Sequence, residues 1–393
     1  MERYSLVINL LYRYHVDGIV EGSGQIDPQQ LQRAVDRAAA ANPAIRVRLR
    51  GVLGFCRWVD SGIAPRVRVF PVSEWNGSNE EQAPFLNERL DARRGGPIAD
   101  VLLVPCADGM TRVVFRTLHA AIDGRGLMHW VREVFRAMRG EALEGSGSSL
   151  TDLDIQAEYA DKIPEEPPAA PSACIPVLHP GDAARQPLRY VWRRVIIDNN
   201  VSQLLPKAAV FLAAWARRNG SGEVGFTIPV DYRGLRTSEM GIGNLTGYFR
   251  LSVPQDATPR SLMLQLAQRV RAYADCRQFP GIRKLLWVPV WWMVRGLKKQ
   301  ADSFLYAVTP ALPTGGLVSM GNLDAQHYSS PGFECRMLYG IPGAVGKLNV
   351  VFLNYAKFVV VAFAAPAAFN HRGQLDELAS AFQQHFSVAG SSS

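Results

Sequence analysis

The stretch Thr117-Leu118-His119-Ala120-Ala121-Ile122-Asp123-Gly124-Arg125-Gly126 sets one histidine four residues ahead of an Asp-Gly pair, directly after the apolar run Val113-Val114-Phe115. A general base needs an imidazole held in one orientation on a rigid element, with its basic nitrogen open to a substrate. A histidine that leaves the end of a strand and enters a tight turn meets that need. Gly124 and Gly126 are expected to let the backbone turn sharply, and Gly126 to Phe135 spaces its apolar residues as an amphipathic helix. Asp123 has two readings: a second acid/base group, or a buried carboxylate that fixes the loop. Four residues past the histidine and across a glycine turn, it is expected to point away from substrate. Burial then requires a cation or several N–H donors. Arg233, at the end of a later strand, is the first candidate for that cation and Arg236 the second.

Other residues offer less. The remaining histidines, His15, His129, His179, His327, His371 and His385, lack such a setting and read as packed or solvated side chains. The loop Gly241-Ile242-Gly243-Asn244-Leu245-Thr246-Gly247 carries no phosphate-binding signature; it is either a hairpin turn or a loop that lines a cleft. No GxSxG elbow occurs, since Val318-Ser319-Met320-Gly321 lacks the preceding glycine, and Cys106 reads as a buried structural cysteine. The segment 283–299 sets Trp287, Trp291 and Trp292 among aliphatic residues between basic flanks. It is either a buried helix with a proline kink or an exposed apolar surface for lipid or a long acyl chain.

The elements around these residues alternate between strand and helix. Tyr4 to Tyr14 alternates as a strand. Asp27-Pro28 starts a helix that Asn42-Pro43 stops. Strands are expected from Ile45 to Arg50, with a turn at 51–54, and at Val67–Phe70, Val101–Val104 and Val113–Leu118. A proline-rich crossing at about 162–187 divides two lobes, 1–175 and 176–393. The second lobe carries strands at Tyr190–Ile197, Val224–Val230, Tyr248–Val253, Asn349–Tyr355 and Phe358–Phe363. Its helices are Leu204–Arg217, Pro259–Tyr273 and Gln374–Phe386. The fold class is mixed α/β.

Composition narrows the partners only a little. Of 393 residues, 48% are hydrophobic and 20% charged, which is ordinary for a globular protein with a sizeable core. Five scattered cysteines suggest neither a zinc site nor a disulfide framework. Met1-Glu2-Arg3-Tyr4-Ser5 lacks the pattern of a signal peptide, and no apolar run has the length of a membrane span, so a reducing cytoplasmic setting is expected. The net charge of +8 favours acidic partners: phosphorylated cofactors, acidic carrier proteins or anionic lipid surfaces. Its dispersal, without a recognisable binding motif, argues against nucleic acid.

His119-Ala120-Ala121-Ile122-Asp123-Gly124 resembles the HxxxDG motif of the CoA-dependent acyltransferase superfamily, which includes nonribosomal-peptide condensation domains, plant-type and polyketide-associated acyltransferases and wax ester synthases. Asn42-Pro43-Ala44-Ile45-Arg46-Val47-Arg48, Pro229 to Arg233, Gly243-Asn244 and Val318-Ser319-Met320-Gly321-Asn322 follow in the family's order. The resemblance implies two chloramphenicol-acetyltransferase-like lobes in a V, with His119 at a central tunnel. An acyl thioester on a phosphopantetheine arm enters from one side and the acceptor from the other. It further implies that His119 is the general base, that Asp123 and Gly124 hold the loop with Arg233, and that Asn244 and Ser319 border the substrate. No metal and no permanently bound cofactor are implied.

Three departures matter. Leu118 stands where many condensation domains carry a second histidine, the plant-type DFGWG is absent, and Ser319-Met320-Gly321-Asn322 replaces SNLG. A stand-alone bacterial-type acyltransferase fits best. The leading expectation is transfer from acyl-CoA or an acyl carrier protein to an alcohol that is small or lipid-like, with peripheral membrane contact in view. Amide formation on an amine, or a catalytically silent docking module, are the alternatives.

Overall fold

The computed structural model describes residues 2–11, 14–52, 55–92, 95–164, 174–179, 190–218, 220–235, 240–278, 284, 287–296, 313–343 and 347–388. The chain opens with helix α1 (Glu2–Leu11), which corrects the strand expected from Tyr4 to Tyr14. Leu6, Val7 and Leu10 recur at helical rather than alternate spacing, and they share one apolar cluster with Ala120 and Val290. Strand β1 (His15–Gly24) follows; its glycines hid it from a propensity reading. They serve close approach: a Cβ on Gly22 would lie 2.3 Å from the Glu334 carbonyl oxygen.

Helix α2 (Pro28–Ala41) starts as expected, with the Asp27 carboxylate accepting from the N–H groups of Gln29 and Gln30. Ile45 belongs to a short 3-10 turn, Pro43–Arg46, rather than to the strand expected there. Strands β2 (Val47–Val52) and β3 (Phe55–Asp60) form a two-stranded pair of their own. β4 (Val67–Val69), β5 (Ala99–Pro105), β6 (Met110–Leu118), α3 (Gly124–Met138) and α4 (Asp152–Glu158) follow. Most of the proline-rich crossing lies outside the described residues.

The later half comprises β7 (Tyr190–Asp198), α5 (Leu204–Arg217), β8 (Gly225–Asp231), β9 (Thr246–Ser252) and α6 (Pro259–Arg271). It continues with β10 (Gly315–Asn322), β11 (Phe333–Ile341), β12 (Asn349–Asn354), β13 (Phe358–Pro366) and α7 (Gln374–Val388).

Two large sheets result, ordered β11-β1-β6-β5-β4 and β7-β13-β12-β10-β8-β9. β11 comes from the second half of the sequence, yet it pairs antiparallel with β1 of the first sheet. A cut at residue 176 therefore separates β11 from its own hydrogen-bonding partner. Helices α2 and α3 share an apolar cluster with the first sheet, and α5, α6 and α7 share one with the second. A third cluster joins the sheets, with Ile19, Val114 and Tyr339 from one and Trp192, Leu353 and Val360 from the other. Every residue of β6 is buried, two arginines included. Arg112 bonds Glu21 at 2.6 Å, and Glu21 also accepts from Arg194 of β7, so a buried ion network crosses between the sheets. The architecture is mixed α/β, as the sequence predicts.

Candidate active site

His119 follows directly on β6, and its N–H donates to the Tyr14 carbonyl at 3.2 Å, one residue before β1. Its ring stacks on the Tyr14 ring, with centroids 4.8 Å apart and planes 19° from parallel. The side chain is half-buried overall, while Nδ1 is closed off inside the protein without a hydrogen-bond partner. Burial pushes the imidazole below its ordinary pKa of 6.5, against the opposite pull of its own backbone carbonyl and of Asp123. A histidine with a lowered pKa stays neutral, and so basic, at pH 7. The acid limb of any reaction that uses it as a base should therefore lie below the ordinary imidazole range. A pH–rate profile checks this; an acid limb above pH 7 would contradict it.

Asp123 caps α3 and is almost fully buried. One oxygen, Oδ1, accepts from the Gly126 N–H at 2.7 Å and from Arg233 Nη2 at 3.0 Å. The other accepts from Arg233 Nη1 at 3.1 Å, from the Leu245 N–H at 2.8 Å and from the Thr246 hydroxyl at 2.9 Å. The Arg233 guanidinium has five N–H donors, and the rest of them are also engaged. Nε bonds the Gly241 carbonyl, Nη1 also meets Asp231, and Nη2 also meets the Gly243 carbonyl. Burial alone would lower the Arg233 pKa; Asp123 and Asp231 more than offset it and raise it. Arg236, the second candidate cation, lies outside the described residues.

Asn244, 1% exposed, donates its side-chain amide to the His119 carbonyl at 2.9 Å, while its Oδ1 is buried without a hydrogen-bond partner. The 241–247 loop therefore clasps the histidine loop on two sides, through Asp123 and through His119 itself. Gly126 is needed for that clasp. Neither it nor Gly124 takes the left-handed conformation that a sharp-turn role would use, which corrects the sequence reading. Instead, α3 passes so near the loop that a Cβ on Gly126 would lie 2.1 Å from the Ile242 carbonyl oxygen. On Gly124 a Cβ would lie 3.1 Å from Met320 Cε, which brings the end of β10 against the same turn. Ser319, the preceding residue, is exposed on β10.

Sequence reasoning missed three parts of this arrangement: the Tyr14 ring, the Leu245 N–H and the Thr246 hydroxyl. Thr246 stands two residues past the singled-out Asn244, but nothing in the sequence marks it as a partner of Asp123. His129, on α3, is buried and its pKa is likewise lowered by burial. Among the described residues no group of three His, Cys, Asp or Glu side chains is placed to hold a metal ion.

Solved structures of condensation domains share this architecture. A mutant starter condensation domain of rhizomide synthetase RzmA, in complex with C8-CoA, is 14% identical; the match covers 98% of this chain and 93% of that one, with a TM-score of 0.67. The first condensation domain of the calcium-dependent antibiotic synthetase, with substrate analogue 3a, is 15% identical, covers 100% and 95%, and has a TM-score of 0.66. The condensation domain of the Monacolin K polyketide synthase MokA is 13% identical, covers 98% and 97%, and scores 0.63. No protein-family model matches the chain, and no curated protein matches it by sequence. The chain has the condensation-domain fold. That is the architecture which the HxxxDG resemblance implies.

Proposed function

We propose that the chain is an acyltransferase that moves an acyl group from an acyl-CoA or acyl-carrier-protein thioester to an alcohol, forming an ester. One observation carries this reading: a half-buried His119 held on three sides, by Tyr14, by Asn244 and by the Asp123–Arg233 clasp. With Nδ1 closed off, the tautomer protonated there leaves Nε2 as the base. His119 takes the acceptor hydroxyl proton as its oxygen attacks the thioester carbonyl. The C–S bond then breaks, and the departing thiolate recovers the proton. Asp123, Gly124 and Arg233 keep the loop in place. Asn244 is read as bordering the substrate from the loop that holds the His119 carbonyl. Ser319, exposed on β10, is likewise read as bordering the substrate.

The two sheets are read as the two lobes of a V, with the substrates meeting at His119 through a tunnel between them. The complex of the rhizomide synthetase domain with C8-CoA supports a CoA thioester as donor. The net charge of +8 suits either an acidic carrier protein or a phosphorylated cosubstrate.

The test is to incubate the protein with acyl-CoAs and acyl-carrier proteins against mixed alcohols and amines, with mass spectrometry of the products. An ester is expected. Amide alone would move the acceptor from hydroxyl to amine, and no product from any pair would favour a silent module of this fold.

A further inference from the structure

Residues 287–296 have two unlike faces. Val290 is buried, and with half-buried Met293 and Val294 it joins Leu6, Val7 and Leu10 of α1, Leu49 and Trp58 of the β2–β3 pair, and Ala120. Ala120 is the residue after His119, so this cluster covers one side of the catalytic turn. Away from it, Trp287, Trp291 and Trp292 are 81%, 51% and 61% exposed, which decides against the buried-helix reading for these side chains. The indoles of Trp291 and Trp292 lie 5.3 Å apart. Lys284 and Arg295, both exposed, bracket the three tryptophans.

We propose that this surface docks onto an anionic lipid–water interface. Two observations favour lipid over a protein groove. Indoles combine an apolar body with one N–H donor and settle at the depth of lipid headgroups. The cations stand beside the apolar residues, where lipid phosphates would meet them without requiring a fixed partner shape, and the chain's net charge is +8. Among the described residues no helix is long and apolar enough to cross a membrane. The docked face sits over Ala120 and brings a lipophilic acceptor or acyl donor toward His119 without crossing water. That last clause rests on the general-base reading above; the docking itself does not.

The experiment uses the full chain without substrate. It measures co-sedimentation with vesicles of phosphatidylcholine alone and of phosphatidylcholine mixed with phosphatidylserine, at low and high salt, with tryptophan emission recorded alongside. Binding to the anionic vesicles at least about tenfold tighter, with blue-shifted emission and weakening by salt, is expected. The triple variant Trp287→Ala/Trp291→Ala/Trp292→Ala should lose that binding, and Lys284→Glu/Arg295→Glu should lose the preference for anionic lipid. The altered side chains are exposed, so thermal unfolding of each variant checks that the fold is kept. The proposal is overturned if the wild-type protein stays in the supernatant with phosphatidylserine vesicles, or if the folded tryptophan variant binds them equally well. Tryptophan-dependent binding to an acyl carrier protein with no vesicle binding would also overturn it, in favour of a protein partner. A His119→Ala variant that still binds vesicles but transfers no acyl group keeps the two claims separate.

Discussion

Asp123→Ala is expected to cost about 3–5 kcal/mol of stability, the range for removing one partner of a buried ion pair. The Asp123 carboxylate receives five hydrogen bonds, two of them from Arg233. Alanine leaves the guanidinium buried with Asp231 as its remaining carboxylate and strips the first turn of α3 of its cap. The backbone N–H of Leu245 also loses its acceptor, which releases the 241–247 loop from the histidine turn. Acyl transfer should fall along with stability, because that loop also carries the Asn244 amide that holds the His119 carbonyl. Asp123→Asn keeps the shape and part of the bonding and should fall between wild type and alanine. In the double variant Asp123→Ala/Arg233→Ala neither member of the pair is left buried without the other, so its loss should be smaller than the sum of the single losses. Urea unfolding of wild type, Asp123→Ala, Asp123→Asn, Arg233→Ala and the double variant measures this; additive losses would mean that the pair does not act as a unit.

Much of this site could be read from local chemistry. An Asp-Gly pair after a strand end and an arginine closing another strand named Asp123 and Arg233, the family resemblance named Asn244, and the structure brings them together around His119. What could not be read was contributed by the backbone or from a distance. The Leu245 N–H carries no side-chain signature. Tyr14 lies 105 residues before His119 and reaches it only because β1 pairs with β6, aligning His15 with Leu118. The likely-looking rule that glycine means a turn misled at Gly126, where the requirement is space beside the Ile242 carbonyl.

The same division holds for the fold. Helices α2 and α5 were legible from caps and apolar spacing, and α5 spans Leu204–Arg217 in both readings. Strands β12 and β13 were legible because both are dense in valine and phenylalanine and largely buried. β1 was not, because Gly18, Gly22 and Gly24 are chosen for close packing against neighbouring elements rather than for strand propensity. Nor was β11, whose sequence carries Glu334 and Arg336 in alternation with buried Phe333 and Cys335. Nothing local tells such a strand to join a sheet formed by residues more than two hundred positions earlier; that choice is made by the pairing with β1.

His119→Ala is the second large effect. Removal of a positioned general base is worth about 10²–10⁴-fold in rate. The substitution leaves Asp123, Arg233 and Asn244 in place, and the Asn244 amide still finds the backbone carbonyl of residue 119, so the loop keeps its anchors. Stability should therefore change far less than in Asp123→Ala, and the two variants separate chemistry from scaffolding. The direct measurement is the single-turnover rate of acyl transfer by wild type and His119→Ala, on the donor and acceptor that give product, with unfolding followed on the same samples. The account predicts a rate lower by about 10²–10⁴-fold in a folded protein. Transfer at the wild-type rate by folded His119→Ala would contradict it.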